Sequence, residues 1–454
     1  MKNLCPEALL SFVDKVPVYT QESYSQHLEI LSELDPFRHQ FEKSNFISKD
    51  EQEVKTLKRL KTLVTHAYNN IPHYKDIYST AGFEPNDFKT MSDFHLLPTI
   101  SKADLKIIEK QVRSNPEFVV QFQSRTSGST GIPLCLLNDR FRTRHWHLIR
   151  MMMFEDMVAG CYPNRWTYSI YYETFYLSHI LGQFPTFTIG LNAEPQLVAD
   201  HIRKLKPVIV SGVASQVLAI SKYLEDAQAI GIRAFSTNSE SSSSQERKRM
   251  EGYTGVPFLD EYSTEELGII AWENRDGTYR VAEDTVYLEL RPNPGSELLS
   301  VVGTDLWSFS MPRIRYQQGD YAEWAEEFPK VGPRKLKRIL GRQDMILLSK
   351  TKGKIDPALI HEAIDQTLVQ PNSGVEEFRV IQNSLDNIRL IIKCRSRENV
   401  SKTILERFQF HFSNLFGIPN ALTTEFTDEL PSLGTKRRCI VRNFELNDPN
   451  QLSL

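Results

Sequence analysis

The segment 125–133 concentrates side chains that could bind a phosphate group. Its nine residues include four hydroxyl side chains and two glycines. Glycine lets the backbone approach a ligand closely, and hydroxyls with exposed N–H groups can surround phosphate oxygens. Because no lysine follows Gly131, the segment is not the P-loop G-x-x-x-x-G-K-[ST], and by itself it is equally compatible with a surface turn. The candidate phosphate-binding residues are Thr126, Ser127, Gly128, Ser129, Thr130 and Gly131.

Strand and helix patterns alternate around this segment. A strand-like run at 118–122 leads into it. Further along, the apolar run 208–212 predicts a buried strand before a helix at 216–224. The polar turn 236–240 has the same character and precedes a basic helix at 245–252. Strands that alternate with helices predict a mostly parallel, helix-covered sheet, and such sheets bind ligands at the carboxyl ends of their strands.

The remaining N-terminal regions have simpler patterns. Residues 1–50 are polar and weakly periodic, which predicts an appendage to the main domain. Apolar residues within 53–68 recur at helical spacing, and Pro72 is predicted to end that helix. Ser101 has the position of an N-cap for the next helix. From about residue 278 the pattern is rich in strands.

The C-terminal part has a different pattern. Two alternating strands and a helix at 401–416 follow residue 341. We therefore place a boundary near Asp344, which gives an appendage at 1–50, a main domain at 51–343 and a small domain at 344–454. The predicted fold class is α/β: a large N-terminal domain with mostly parallel, helix-covered sheets and a β-rich subdomain, followed by a small α+β C-terminal domain.

Composition excludes several classes of protein. The 454 residues suggest two to four domains. A net charge of −3 gives no electrostatic footprint for nucleic acid. No signal peptide or apolar run of membrane-spanning length is recognisable, so no membrane association is expected. Five scattered cysteines without a C-x-x-C pair fit reduced thiols and no zinc site, which predicts a cytoplasmic protein.

Further motifs follow the hydroxyl-rich segment at 260–268, 313–320, 341–344 and 430–438, and two more precede it at 67–74 and 97–105. Together they resemble the adenylate-forming superfamily of acyl- and aryl-CoA synthetases, adenylation domains and luciferases. The segments 67–74 and 97–105 resemble more narrowly its phenylacetate–CoA ligase and CapK branch. The resemblance covers roughly residues 50 to 445.

The resemblance implies an acid–thiol ligase that forms AMP. A carboxylate would attack the α-phosphate of ATP and release pyrophosphate, and the acyl-adenylate would then pass its acyl group to a thiol. The implied cofactors are ATP and Mg²⁺, with CoA or a carrier-protein phosphopantetheine as acceptor and a small carboxylic acid as substrate. An acyl carrier protein and a homodimer are the macromolecular partners to be tested.

The resemblance also assigns nucleotide and metal ligands. Tyr262 would stack on adenine, and Asp320 would accept hydrogen bonds from both ribose hydroxyls. Arg342 would contact ribose or phosphate. Mg²⁺ would bind the carboxylate after Tyr262; two spacings select Glu266, whereas reading Ser-Thr-Glu directly selects Glu265.

The resemblance also implies roles for the C-terminal domain and for the acyl pocket. Lys436 would be the catalytic lysine, whose long side chain brings a positive charge from a mobile domain, and Asp344 would be the hinge of that domain. Many relatives have a lysine at the position of Ile132, so phosphate binding here would depend on other cations. Asn238 and Ser239 would lie against adenine and substrate. An aromatic group that could line the acyl pocket, or simply pack in the core, comprises Tyr168, Tyr171 and Tyr172.

Three functions remain open from the sequence. The first is the carboxylate–thiol ligase. The second is a ligase that transfers the acyl group to an amine or a protein. The third belongs to another class: a degenerate protein that binds nucleotide without turnover. Ile132, where many relatives have lysine, and Thr435, where glycine is common, would favour this function.

Overall fold

The computed structural model describes residues 21–120, 122–126, 134–158, 166–171, 175–177, 186–240, 242–293, 296–342, 345–370, 372–419, 422–430 and 439–444. Short 3₁₀ turns occur at Pro85–Asp87 and Arg397–Asn399. The helices are α1 Gln21–Ser44, α2 Lys49–Asn70, α3 Pro72–Thr80, α4 Met91–Leu96, α5 Lys102–Ser114, α6 Arg140–Met157, α7 Pro195–Leu205, α8 Ala214–Ser221, α9 Ala227–Ile230, α10 Ser244–Thr254, α11 Pro357–Asp365 and α12 Lys402–Phe416.

Most of the strands belong to one large sheet or to a smaller C-terminal sheet. The strands are β1 Phe122–Arg125, β2 Cys135–Asn138, β3 Thr167–Tyr171, β4 Phe175–Leu177, β5 Thr186–Gly190, β6 Ile209–Val213, β7 Ala234–Asn238, β8 Phe258–Thr264, β9 Gly268–Glu273, β10 Tyr279–Val281, β11 Val286–Asn293, β12 Ser296–Asp305, β13 Tyr316–Glu326, β14 Lys335–Arg342, β15 Leu348–Ser349, β16 Gly353–Lys354, β17 Glu377–Ser384, β18 Asn387–Lys393, β19 Leu422–Thr427 and β20 Ile440–Arg442.

The large sheet is parallel on one side of β8 and antiparallel on the other. Its twelve strands run in the order β11-β12-β13-β14-β10-β9-β8-β7-β6-β3-β5-β4. Strands β5, β3, β6, β7 and β8 are parallel neighbours, and β8 pairs with β9 in the antiparallel sense. The predicted α/β class is confirmed, but the β-rich region continues the parallel sheet because β8 hydrogen-bonds along both edges.

Helices cover both faces of the parallel strands. One face packs against α7 and α8, with Phe187, Val210 and Phe235 in a shared core. The other face packs against α6, whose Leu148 and Met152 lie one helical turn apart and are both buried. Covering of both faces explains why these strands have long apolar runs in place of strict alternation.

The predicted N-terminal appendage contributes to this core. Phe37 and Phe41 of α1 are buried in the same cluster as α6, and Phe41 stacks on Trp272 with ring centroids 6.1 Å apart. The Arg38 guanidinium donates to Glu155 of α6 at 2.8 Å. The composition of residues 1–50 did not predict this packing. Only one side of a mostly polar helix makes the contact, so few apolar residues are needed.

The N-terminal helices lie close to the positions predicted from apolar spacing and capping residues. The predicted helix at 53–68 lies within α2, which Ser48 and Glu51 start with a capping box. Ser101 caps α5 as predicted, with Asp104 completing the reciprocal pair. Pro72 ends one helix and also occupies the first turn of the next, where its missing N–H has no cost. The strand predicted at 118–122 begins only at Phe122.

The C-terminal part forms its own sheet and core. The strand order is β19-β18-β17-β20, with β17 and β18 antiparallel and both outer pairs parallel. Helices α11 and α12 pack on it, and Phe408, Phe412 and Phe416 are fully buried. The predicted boundary at Asp344 falls outside the described residues and stays a prediction. Within the described residues, no helix combines the length and apolarity needed to cross a membrane.

Polar contacts join the C-terminal part to the large domain, and in one of them Arg249 of α10 donates to the Val369 carbonyl. Ser243, the N-cap of α10, donates to Asp365 Oδ1 at 2.8 Å. Arg338 of β14 donates to Asp356 Oδ2 at 2.9 Å. Burial raises the pKa of Asp365 to about 6, an effect that the Ser243 hydrogen bond opposes. The Asp365 contact is therefore sensitive to pH.

Asp365→Asn should change how stability depends on pH. Because the folded pKa is raised from 3.8, the contribution of protonated Asp365 is present below about pH 4 and lost as pH rises through about 6. The free energy of unfolding of the wild type should therefore fall relative to Asp365→Asn over this range and then level off. Urea unfolding at several pH values measures the difference, with Glu362→Gln on the same helix as the control. Parallel curves for wild type and Asp365→Asn would contradict the prediction.

Candidate active site

The hydroxyl-rich segment connects two antiparallel strands. Arg125 of β1 pairs with Cys135 of β2. The pairing continues through Thr126, whose N–H donates to the Leu134 carbonyl at 3.0 Å and whose hydroxyl accepts from the Leu134 N–H at 3.0 Å. Residues 127–133 lie outside the described residues, so the phosphate role of Ser127 to Gly131 stays a prediction.

Tyr262 and Asp320 are brought together at the junction of the two halves of the sheet. The Tyr262 hydroxyl donates to Asp320 Oδ2 at 2.8 Å and accepts from Gln318 Nε2 at 2.5 Å. Arg342 pairs with Asp320 in the β13–β14 ladder, and its Nε lies 3.9 Å from Asp320 Oδ1. Burial raises the pKa of Tyr262, and the Asp320 charge adds to this effect, so the phenol keeps its proton and remains a donor.

The two candidate metal ligands have different partners. The Tyr171 hydroxyl donates to Glu265 Oε1 at 3.3 Å, and the Tyr316 hydroxyl donates to Glu266 Oε1 at 3.4 Å. Tyr316 begins β13, the strand that carries Asp320, so Glu266 lies on the Asp320 side of the loop between β8 and β9. A magnesium ion needs only one or two protein carboxylates beside phosphate and water, and Glu266 offers one. The described residues contain no group of three or more potential metal ligands.

Lys102 is a cation that the sequence analysis did not assign to the site. The start of α5 is fixed against β13, because Ile100 N–H donates to the Arg315 carbonyl at 3.0 Å and Gln317 N–H donates to the Ile100 carbonyl at 2.9 Å. Burial lowers the pKa of Lys102, and the nearby Glu266 carboxylate opposes this effect. No local pattern identifies Lys102 as a site residue, because its position depends on pairing between distant segments.

The end of β7 places Asn238 and Ser239 beside β8. Asn238 is buried, and the Ser239 hydroxyl donates to its Oδ1 at 3.0 Å. Ser239 has a φ of 65°, a conformation that is uncommon for a residue with a side chain. Because Thr237 pairs with Asp260 in parallel register, Asn238 and Glu261 lie side by side at the edge of the sheet.

The three candidate pocket tyrosines have separate locations. Tyr168 is fully buried, and its hydroxyl is 2.9 Å from Nδ1 of His201 in α7. Tyr171 is three residues later, faces the opposite side of β3 and contacts Glu265. The position of Tyr168 is that of a core residue, so it is not carried into the proposed pocket. Tyr172, Asp344 and Lys436 lie outside the described residues.

A buried ionic network holds the loop that carries the two glutamates. Arg142 of α6 donates from Nη2 to the carbonyls of Glu265 at 2.9 Å and Glu266 at 3.3 Å, and from Nε to Asp305 Oδ2 at 2.7 Å. The same Asp305 oxygen lies 3.4 Å from the fully buried Arg313. The other guanidinium nitrogen of Arg313 donates to the Asn138 side chain at the end of β2.

The structure also shows the surroundings of the two arginines in the motif 313–320. Arg313 and Arg315 are both buried, and Arg315 makes two hydrogen bonds to Glu289 at 2.8 and 3.0 Å. Their contacts are with the scaffold. Their role is therefore to fix the segments around the site, whereas Asp320 and Arg342 face the site itself.

Arg142→Ala should destabilise the protein by about 3–5 kcal/mol, because it leaves the buried Asp305 carboxylate without one of its two cations. Arg144→Ala on the same helix is the matched control. Its ion pair with the partly exposed Glu33 should contribute less than about 1 kcal/mol. Urea unfolding of both variants measures the difference, and equal losses would contradict the proposed importance of Arg142.

No protein-family model matches the chain. Protein CapK of Staphylococcus aureus is 23% identical over 405 residues, which cover 83% of this chain and 87% of CapK. Phenylacetate-coenzyme A ligase of Escherichia coli strain K12 is 24% identical over 379 residues, which cover 77% of this chain and 84% of that enzyme.

Solved structures give the same result for the fold. A crystal structure of 2-hydroxyisobutyryl-CoA ligase, in the postadenylation state with an acyl-AMP, superposes with a TM-score of 0.70 at 19% identity. The match covers 88% of this chain and 91% of that one. The resemblance predicted from the sequence is therefore confirmed: the chain is similar to CapK and to phenylacetate–coenzyme A ligases, and its fold is that of 2-hydroxyisobutyryl-CoA ligase.

Proposed function

We propose that this protein activates a carboxylic acid with ATP, forms an acyl-adenylate and transfers the acyl group to the thiol of CoA. The observation that carries the proposal is the convergence of Tyr262, Asp320 and Arg342 beside Glu266 at the carboxyl edge of the parallel strands. Phenylacetate–CoA ligases among its relatives support the reaction class. The magnesium ion, the identity of the acid and any carrier protein belong to the proposal.

The proposed chemistry follows from the poor reactivity of a carboxylate. A carboxylate oxygen of the substrate attacks the α-phosphorus of ATP, the bond to the bridging oxygen breaks, and pyrophosphate leaves. The sulfur of CoA then attacks the acyl carbon, AMP leaves, and the thiol proton passes to solvent. The first step brings two anions together, so positive charge placed beforehand in a site that excludes water lowers its barrier.

Each described residue has a part in binding the nucleotide. Asp320, whose Oδ2 accepts from Tyr262, would receive the ribose hydroxyls, and the Tyr262 ring would lie against adenine. Arg342 would face ribose or phosphate. Glu266 would hold Mg²⁺, which when bound screens the phosphate charge. Lys102 supplies a cation near Glu266 and so offsets the missing lysine in the hydroxyl-rich segment.

Two alternative functions can be distinguished from this proposal by experiment. An amine, a protein or a carrier-protein pantetheine could replace CoA as the acceptor. In the different-class alternative, the chain binds nucleotide without turnover. A homodimer is a further prediction that sedimentation or light scattering would check.

The decisive experiment is carboxylate-dependent exchange of labelled pyrophosphate into ATP, screened over small acids and repeated with and without CoA. Exchange with at least one acid, followed by CoA-thioester formation, supports the proposal. Exchange without a thioester favours another acceptor. A lack of exchange with every acid, in protein that still binds ATP, would favour the non-catalytic alternative.

Lys436→Ala should abolish adenylation, because the ammonium is needed to neutralise the attacking carboxylate and the α-phosphate. Thioester formation from supplied acyl-adenylate should remain. Arg437→Ala, in the same basic cluster, is the control and should retain both half-reactions. Equal loss of both half-reactions in Lys436→Ala would contradict the assigned role.

Lys102→Ala should raise KM for ATP by about 10- to 100-fold, because a contact between a cation and phosphate contributes about 1.5–3 kcal/mol. Lys110→Ala on the exposed side of the same helix is the matched control and should leave KM unchanged. Steady-state exchange kinetics measure both variants. An unchanged KM for ATP in Lys102→Ala would remove Lys102 from the site.

A further inference from the structure

A row of buried hydroxyl groups crosses the parallel strands. Ser236 of β7, Ser211 of β6, Ser169 of β3 and Thr188 of β5 are paired in register from strand to strand. All four are buried, and residues in register point to the same face. Two residues earlier on this face, Ile209 and Ala234 pack in the apolar cluster with α6, whereas the neighbouring strands β3 and β5 carry Thr167 and Thr186.

Three of these hydroxyls lack a hydrogen-bond partner among the described residues. They are Oγ1 of Thr188, Oγ of Ser211 and Oγ of Ser236, and all three side chains are 0% exposed. A buried polar group without a partner is unfavourable, and most such groups in proteins have one. If these hydroxyls only filled space in the core, alanine or valine at the same positions would give a fold at least as stable.

Glu261 extends this polar face to the edge of the sheet. Leu259 pairs with Ser236, so Glu261, two residues later, lies on the same face of β8. Its Oε1 accepts from the Ser263 hydroxyl at 2.7 Å, and the Asn238 side chain also interacts with this carboxylate, but Oε2 is buried and makes no hydrogen bond of normal geometry within the described residues. The Arg150 guanidinium of α6 acts on Glu261 electrostatically and lies over the rings of Trp146 and Phe154.

The polar face meets the proposed reaction centre at that edge. Glu261 directly precedes Tyr262, which contacts Asp320 on the other side of β8. Tyr171, two residues after Ser169 and on the same face, donates to Glu265 at 3.3 Å. An acid whose carboxylate reacts beside Glu265 and Glu266 would therefore extend its acyl group past Tyr171 and Glu261 toward the hydroxyl row.

We infer that the acid activated at this site carries a hydroxyl or amino group, which donates a hydrogen bond to Glu261 Oε2. This inference rests on the proposed function. A donor on the acyl group would satisfy the open carboxylate oxygen, whereas an unsubstituted hydrocarbon would leave it unpaired. Sites built to hydrogen-bond a substrate group reject the analogue that lacks it far more strongly than apolar pockets discriminate by size.

The test compares matched acids in the pyrophosphate exchange assay: propionate with lactate and alanine, benzoate with 3-hydroxybenzoate and anthranilate, and phenylacetate with its 4-hydroxy and 4-amino derivatives. At least one hydroxyl- or amino-substituted acid should exceed its unsubstituted partner by about 10-fold or more in kcat/KM. The hydroxyl and amino arms show which donor is used. Comparable or better exchange with all unsubstituted acids would overturn the inference and leave the proposed function intact, whereas exchange with no acid would reject both.

Two variants test the role of the polar face. Glu261→Met, which keeps the length of the side chain, should reduce the preference for the substituted acid by about 10- to 100-fold and leave KM for ATP within about twofold. Glu251→Gln, an exposed carboxylate on α10, is the control. An equal loss of activity with all acids in Glu261→Met would overturn the inference.

Ser236→Ala is the second variant and protects the test against misfolding of Glu261→Met. It removes a hydroxyl that has no partner in the described structure, so it should fold at least as stably as the wild type. If this hydroxyl contacts the acyl group, KM for the substituted acid rises by about 5-fold or more and kcat changes little. An unchanged KM for that acid, together with an unchanged preference, would mean that the row only fills space and would overturn the inference.

Discussion

The site depends on the buried contact between Arg142 and Asp305. One guanidinium holds the carbonyls of Glu265 and Glu266 and also pairs with Asp305, which in turn neutralises the fully buried Arg313. Arg313 reaches Asn138, and thereby the strand that follows the hydroxyl-rich segment. Because a charge without its partner is very unfavourable in a buried environment, these segments must be fixed together. These contacts hold a candidate metal ligand and the strand that follows the hydroxyl-rich segment in fixed positions relative to each other.

Strand β8 gives the site two sides with different chemistry. Its parallel neighbour β7 and antiparallel neighbour β9 join two kinds of sheet, and alternation along β8 sends successive side chains to opposite faces. Tyr262 meets Asp320 and Arg342 on the side proposed for the nucleotide. Glu261 lies on the same face of the sheet as the buried hydroxyl row, on the side proposed for the acyl group. One strand can thus separate recognition of ATP, shared by a superfamily, from recognition of an individual acid.

Features set by neighbouring residues could be predicted from the sequence, whereas features set by distant segments could not. Helix ends are set by residues close together in the chain, so they could be predicted. Ser101 with Asp104 starts a helix, and Gly417, in a left-handed conformation, ends one. Local chemistry was insufficient for Lys102, whose approach to Glu266 depends on a bridge between residues 100 and 316. Tyr168 and Tyr171 looked alike in the sequence, but three positions along a strand put them on opposite faces.

The sequence by itself determined the resemblance to the phenylacetate–CoA ligase and CapK branch, the α/β class and the order of the candidate motifs, because residue types, capping signals and apolar periodicity can be read directly from the chain. Only the tertiary structure decided that Arg313 and Arg315 belong to the scaffold and that part of residues 1–50 packs in the core. It also decided that hydroxyls without a partner among the described residues lie on the same sheet face as Glu261. Those facts depend on burial and on register between strands far apart in the chain. Neither burial nor register is written in any short segment, since both arise when the sheet assembles.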